Sequence, residues 1–211
     1  MDTGSRPERF RTHEVGNQPP PFAPRDLWHD DRVLRESLER EGGGRLVEHV
    51  ARYGTLAGGR LLELSFDAHR DRPRLCTHDG SGRRVDRVAF HPSYHELMEA
   101  AVTHGVAGLS WRDGGPGAHV ARAALSYLHP QVEPGPRRPL TMPHAAVPVL
   151  RREPALAGWA ERAAAPHYDP REVPAMEKAG ITVGMGMTEK QGGSDVRANT
   201  TRATPDGTAW R

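Results

Sequence analysis

Thr188, Glu189, Ser194 and Asp195 fall within eight residues of one another, with Gly192-Gly193 between them. Two hydroxyls that can donate or accept, two carboxylates and two residues without a Cβ are the ingredients of a loop that holds an anionic or polar cofactor. Glycine lets a ligand approach the backbone, and its amide can face phosphate oxygens. Upstream, the Gly-spaced apolar run Ile181 to Met187 reads as a strand that would deliver the loop. Gly184-x-Gly186 is not a dinucleotide fingerprint, because Glu occupies position 189 and no helical pattern follows.

The remaining chemistry-bearing residues form weaker patterns. His91 and His95 have the spacing of two ligands on one helix face, but Pro92 puts His91 at the cap and no third ligand is evident, so no metal site is assigned. Trp111-Arg112 and His167-Tyr168-Asp169 could line a pocket, with packing and surface roles the more economical reading. Cys76 falls in an expected strand without a paired His and reads as a small hydrophobe. No Gly-x-Ser-x-Gly elbow, phosphate-binding P-loop or kinase set is present.

The elements that position these residues follow from periodicity and punctuation. Met1 to Pro24 is polar and Pro-rich, hence extended or disordered. Asp30 or Asp31 caps a helix to about Glu41 with Val33, Leu34 and Leu38 on one face, ended by Gly42-Gly43-Gly44. Separate helices are expected at about 45–56 (Leu46, Val50, Tyr53) and 59–69 (Leu61, Leu62, Leu64, Phe66). A hairpin turns at Asp79-Gly80-Ser81-Gly82, between strands at 74–77 and 84–88. Further helices are expected from Pro92 to about His104, at 118–128, from Pro143 to Leu150, and at 154–164. After Pro166 and Pro170 the pattern turns strand-like, near 181–187, 197–204 and 208–211, with a second hairpin signal at Pro205-Asp206-Gly207.

Composition narrows the class. Of the 29 basic residues only Lys178 and Lys190 are lysines, and the formal charge is +2, too small by itself to argue for nucleic acid. The joint abundance of Arg, Ala, Gly and Pro reads as coding bias. A single cysteine rules out an internal disulfide framework and fits a reducing cytosol. No run approaches the roughly 18 apolar residues of a membrane span, and the start lacks a signal-peptide core, so a cytoplasmic protein without membrane association is expected.

The stretch from Gly186 to Ala198 resembles the flavin-site signature of the acyl-CoA dehydrogenases: small, aliphatic, Ser/Thr, Glu, two free positions, small, Gly, Ser/Thr, Asp, two free positions, small. Every constrained position is met. Met185 to Val196 followed by Asn199-Thr200-Thr201-Arg202-Ala203 is similar to the AidB branch, the adaptive-response flavoproteins linked to DNA alkylation damage. The likeness extends to Asn17-Gln18-Pro19-Pro20, Phe90 to His95, Val120 to Ala124, Gln131 to Gly135 and Thr141-Met142. Ordinary members carry Pro-Gly where this chain has Lys190-Gln191, which puts ordinary acyl-CoA turnover in doubt.

The resemblance implies a mainly α chain: an N-terminal helical domain over 25–170 with a small hairpin near 74–88, then the beginning of an antiparallel β-barrel domain over 171–211. It implies FAD as cofactor, with Thr188 at the isoalloxazine ring, Ser194 and Gly192-Gly193 near the pyrophosphate, and Met185, Gly186 and Met187 walling the ring. Glu189 and Asp195 are expected to hold the loop through side-chain-to-backbone bonds. The implied reaction is α,β-dehydrogenation of an acyl-CoA thioester, in a homotetramer. In that family the catalytic carboxylate, the tetramer core and the DNA-binding region lie beyond the part this chain resembles, so no catalytic residue is named. The chain is read as an N-terminal fragment, inactive alone. The competing reading is a non-catalytic flavin-carrying, DNA-protective protein or an inactive remnant.

Overall fold

The computed structural model describes Thr12, residues 16–20 and residues 22–211; most of the expectation for Met1 to Pro24 lies outside them. Asp26 caps a four-residue helix, α1 (Leu27–Asp30), accepting the amides of Trp28 and His29 at 2.9 Å each. The longer α2 (Arg32–Arg40) starts at Asp31, whose Oδ1 accepts the Leu34 amide at 2.8 Å. It ends as the triple glycine demands: Gly42 takes φ 86°, Gly42 N–H reaches the Glu39 carbonyl and Gly43 N–H reaches that of Leu38. Leu38 is buried and Leu34 half-buried, but Val33 is 73% exposed, so the inward face is narrower than the sequence suggests.

The two helices expected at 45–56 and 59–69 are one. A 3₁₀ turn (Gly44–Leu46) leads into α3 (Val47–Leu56), and a π-helical turn (Ala57–Leu61) carries the chain straight into α4 (Leu62–Arg70). Gly58 does not break the helix. It admits the segment before α1: the Arg25 amide donates to the Gly58 carbonyl at 2.9 Å, and a Cβ on Gly58 would fall on the Arg25 carbonyl. A π turn absorbs the resulting one-residue mismatch in the ladder. Phe66, assigned inward, is 47% exposed, whereas Leu61, Leu62 and Leu64 are buried.

The hairpin is present as β1 (Arg74–His78) and β2 (Arg84–Ala89), antiparallel, with Asp79 Oδ1 accepting the Ser81 and Arg83 amides at the turn. A register shift between Cys76 and His78 accompanies Asp86 at φ 46°. Pro92 stands at the first position of α5 (Pro92–Thr103), capped by the His91 ring. A short α6 (Leu109–Arg112), unanticipated in the sequence, precedes α7 (Ala118–Leu128). Helix α8 (Arg137–Leu150) begins six residues before the expected Pro143. Pro143 and Pro148 lie inside it, tolerated because Leu140, Pro143 and Val147 are buried and packing offsets the missing ladder bonds. After a 3₁₀ turn (Pro154–Leu156) comes α9 (Ala157–Ala164).

The main core gathers Leu38, Val50, Tyr53, Leu61, Leu97 and Leu125 from α2, α3, the π turn, α5 and α7. A second, small cluster of Val147, Ala163 and Ala164 lies between α8 and α9, with Trp111, Ile181 and Val183 against it. The last elements are two-residue strands, β3 (Pro205–Asp206) and β4 (Ala209–Trp210), joined at Gly207 with φ 62° and extended by paired bonds between Thr204 and Arg211. Among the described residues no helix is long and apolar enough to cross a membrane.

Candidate functional site

The run 181–187 is not a strand. Ile181 donates to the Arg162 carbonyl at 3.2 Å, and Ile181 with Val183 packs on the small cluster beside α9. From there no backbone ladder forms through Met187. An extended segment becomes a strand only when a neighbour takes its N–H and C=O groups, and none of the described segments does so here. Met185 is 63% exposed and Met187 49%, and a Cβ at Gly184 or Gly186 would meet nothing within 4 Å.

The loop that follows is closed by its own residues. Glu189 and Gly192 exchange backbone bonds, at 2.8 and 3.4 Å. Asn199 Nδ2 donates to the Met187 carbonyl at 2.6 Å, tying both ends of the loop together, while its Oδ1 is buried without a partner. Gly192 is the buried hinge: a Cβ there would fall on the Asn199 side chain and within 2.7 Å of the Asp195 carbonyl. A Cβ on Gly193 would press to 3.2 Å from the Thr188 methyl group. Asp195 caps the 3₁₀ turn Val196–Ala198 through the Arg197 amide at 3.1 Å, as expected of it. Glu189 differs: its carboxylate accepts from the Gln191 side chain, not from backbone. Gln191 Nε2 also donates to Thr200 Oγ1 at 3.1 Å. Gln191, noted in the sequence as a departure from the Pro-Gly of ordinary members, and Asn199, noted as part of the AidB-like run, therefore set the loop's shape, a structural role the sequence did not assign to either.

Thr188 and Ser194 are exposed, and among the described residues neither hydroxyl has a hydrogen-bond partner. The amides of Gly193 and Ser194 likewise have no acceptor. Four unpartnered donors thus lie on one short loop, which a methyl group at Gly192 would distort.

A second constellation lies on the strap 165–182. Arg162 of α9 holds it through the carbonyls of Lys178 and Met176, at 3.1 and 2.9 Å. Asp169 accepts from the Arg171 guanidinium, and from the Arg171 and Ala179 amides. The guanidinium of Arg171 holds that carboxyl well below the usual range. Tyr168 Oη meets Nδ1 of His95 at 2.8 Å, and burial pushes the phenol up. His95 meets Tyr168 through Nδ1, and His91 accepts the Ser93 amide at Nδ1 as the cap of α5. Among the described residues no group of three metal-ligating side chains occurs. Trp111 packs with His119 and His144 and donates to the His144 carbonyl at 2.8 Å, a packing role. Cys76 is half-buried and free.

Residues 17–170 match the adaptive response protein AidB N-terminal domain. The chain belongs to that family. AidB of Escherichia coli K12 is 44% identical over 198 residues, covering 92% of this chain and 37% of that protein. Acyl-CoA dehydrogenase family member 11 of Caenorhabditis elegans is 26% identical over 168 residues, covering 79% of this chain and 27% of that protein. The crystal structure of Caenorhabditis elegans ACDH-11 in complex with C11-CoA superposes with a TM-score of 0.74 at 22% identity, over 98% of this chain and 36% of that one. The fold, mostly helical with a small antiparallel sheet, is that of the acyl-CoA dehydrogenases. The chain spans 37% and 27% of the length of these two relatives.

Proposed function

We propose that this chain contributes the flavin-facing N-terminal part of an FAD-dependent, AidB-type acyl-CoA dehydrogenase. The observation that carries this reading is the set of unpartnered donors on the 188–194 loop. They fit the group: the Gly193 and Ser194 amides with the Ser194 hydroxyl suit the flavin pyrophosphate, and the Thr188 hydroxyl suits a polar edge of the ring. Met185, Gly186 and Met187 offer exposed apolar surface and open backbone against the ring face. A bound flavin would supply the hydride acceptor for acyl-thioester dehydrogenation, while Thr188, Gly193, Ser194 and the 185–187 segment would hold and orient it. No residue here is assigned to take the α proton. In this reading 25–170 is a helical domain, 171–211 opens a β-domain, and the base, tetramer core and DNA contacts belong to the longer relatives' further length. The single cysteine is consistent with work in a reducing cytoplasm.

Titration with FAD, following flavin fluorescence, tests the assignment. The 211-residue chain should bind weakly, above micromolar. Thr188→Ala with Ser194→Ala should weaken binding further by about 1–3 kcal/mol, roughly 5- to 150-fold. Binding that ignores the double substitution would place the flavin elsewhere.

A second reading is favoured by Gln191. Its bonds to Glu189 and Thr200 close the loop edge where ordinary dehydrogenases have glycine. A loop latched in this way suits a flavin-carrying protein whose role is protection against DNA alkylation rather than acyl-CoA turnover.

A further inference from the structure

Helices α6, α7 and α8 contain no Asp or Glu, yet they carry Arg112, Arg122, Arg137 and Arg138 together with His119 and His144. Where they meet, the Trp111 ring stands 5.0 Å from that of His119 and 5.1 Å from that of His144. The two imidazoles are themselves 5.8 Å apart. Trp111 is pinned in place, its Nε1 donating to the His144 carbonyl and its own carbonyl accepting from Arg151, at 2.8 and 2.9 Å. Arg122 follows His119 by three residues on α7 and so shares its face. Its Nε donates to the Val106 carbonyl at 2.9 Å, whereas Nη2 is buried without a partner.

Unmet hydrogen bonding concentrates at this junction. Six buried side-chain polar atoms lack a partner among the described residues, and three of them are Ser110 Oγ, Arg122 Nη2 and His144 Nδ1. Burial alone lowers the Arg122 guanidinium, and no carboxylate offsets it. Among the described residues the charges acting on the His144 imidazole are those of Arg122 and His119, after burial itself, with the Ala107 backbone bond opposing them. Helix α9, packed on α8, adds Glu161, which is exposed, and Arg162, which is committed to the strap carbonyls. Two histidines this close would suit a metal ion by themselves, but the fixed charge of Arg122 repels one. An anion meets the opposite field: a desolvated guanidinium N–H with no counter-charge, where hydrogen bonds to charged groups are strongest.

We propose that Arg122, His119 and His144 hold a small inorganic anion, chloride being the simplest, beside Trp111. Arg122 Nη2 supplies one donor and His119, exposed at the mouth, a second. His144 supplies a third once Nδ1 takes a proton, so uptake of the anion is coupled to uptake of a proton. The site lies apart from the 188–194 loop and from the cleft that strap 165–182 forms with α5, and it does not depend on flavin binding.

The test is chloride NMR line broadening with the 211-residue chain, sodium chloride replacing sodium gluconate at constant ionic strength. Excess broadening that saturates is expected, with affinity rising as pH falls from about 7.5 to about 5.5. Arg122→Gln should weaken binding about tenfold or more, the loss of one charged hydrogen bond, with circular dichroism confirming the fold. His119→Gln with His144→Phe, which keeps a ring against Trp111, should flatten the pH dependence and serves also where Arg122→Gln does not fold. Arg137→Gln, the same change of charge at an exposed position on α8, should bind as the parent does. Broadening that does not saturate, unchanged affinity in a folded Arg122→Gln, an equal loss in Arg137→Gln, or undiminished pH dependence in the double histidine variant would each overturn the site.

Discussion

The hydroxyl of Tyr53 and Nδ1 of His129 lie 2.6 Å apart at the centre of the helical core, joining α3 to the turn that ends α7. Both side chains are essentially inaccessible to water, and Nε2 of His129 has no partner. The pair is polar chemistry placed where only the neutral imidazole is tolerated.

That placement predicts acid sensitivity. Burial pushes the His129 imidazole down to about 4, against about 6.5 in the unfolded chain. The unfolded chain therefore takes up the proton first. The contribution to stability is complete above about pH 6.5, declines as pH falls, and is lost by about pH 4, a difference on the order of 3 kcal/mol. His144, lowered to about 4 by burial and then by Arg122 and His119, adds to the same slope from a more accessible position. Urea unfolding at pH 7.5, 6 and 5 should show falling stability. His129→Gln should be less stable at pH 7.5 yet show a flatter pH dependence; an unchanged slope would remove His129 as the cause.

The paired glycines of the π turn should respond in opposite ways. Gly58→Ala drives a methyl group into the Arg25 carbonyl and should cost about 1–3 kcal/mol. Gly59→Ala meets nothing within 4 Å and should be neutral or stabilising by up to about 1 kcal/mol. Thermal melts of the two variants decide it, and equal losses would mean the π turn is not set by the Arg25 contact.

Trypsin should distinguish the clamped strap from the loop beyond it. Lys190, Arg197 and Arg202 are exposed, and few bonds tie their segment to the helices, so early cuts should fall there. The Asp169 carboxylate holds the Arg171 guanidinium and the Ala179 amide beside Lys178, so cuts at Arg171 and Lys178 should come later. Asp169→Ala should bring those two cuts forward with little change in the melting of the helical core. Mass spectrometry of early fragments would contradict this by showing cleavage at Arg171 first.

Replacing Lys190 and Gln191 by Pro and Gly removes the bonds from Gln191 to Glu189 and Thr200. In a full-length relative, flavin retention should persist, since the Asn199 tie and the glycine hinge remain. A rise in acyl-CoA dehydrogenation, followed with an artificial electron acceptor, would show that the latch restricts substrate. Near-zero turnover with flavin still bound would support the protective role instead.

Much of the architecture was legible in the residues. Asp31 before an apolar-periodic run, Gly42-Gly43 after it, Asp79 to Gly82 between β-prone segments and Pro92 ahead of a helical pattern each impose a local conformation that no partner has to supply. The glycine and hydroxyl spacing of the 188–194 loop was legible for the same reason: its turn is closed by residues within it.

What the sequence could not show were choices made by distant contacts. Gly58 reads as a breaker until Arg25 arrives to fill the space it leaves, and Pro143 reads as a helix start until packing of α8 outweighs its missing amide. Val33 and Phe66 sit at plausible inward positions but face water, because neighbouring helices select which stripe is covered. Ile181 to Met187 has strand composition but no neighbour to bond it. The cleft beneath Tyr168 exists only because a strap seventy residues along the chain from α5 is pinned against it. Local chemistry fixes turns and caps at short range, whereas burial and ladder pairing depend on which surfaces meet, and only the tertiary structure brings those surfaces together.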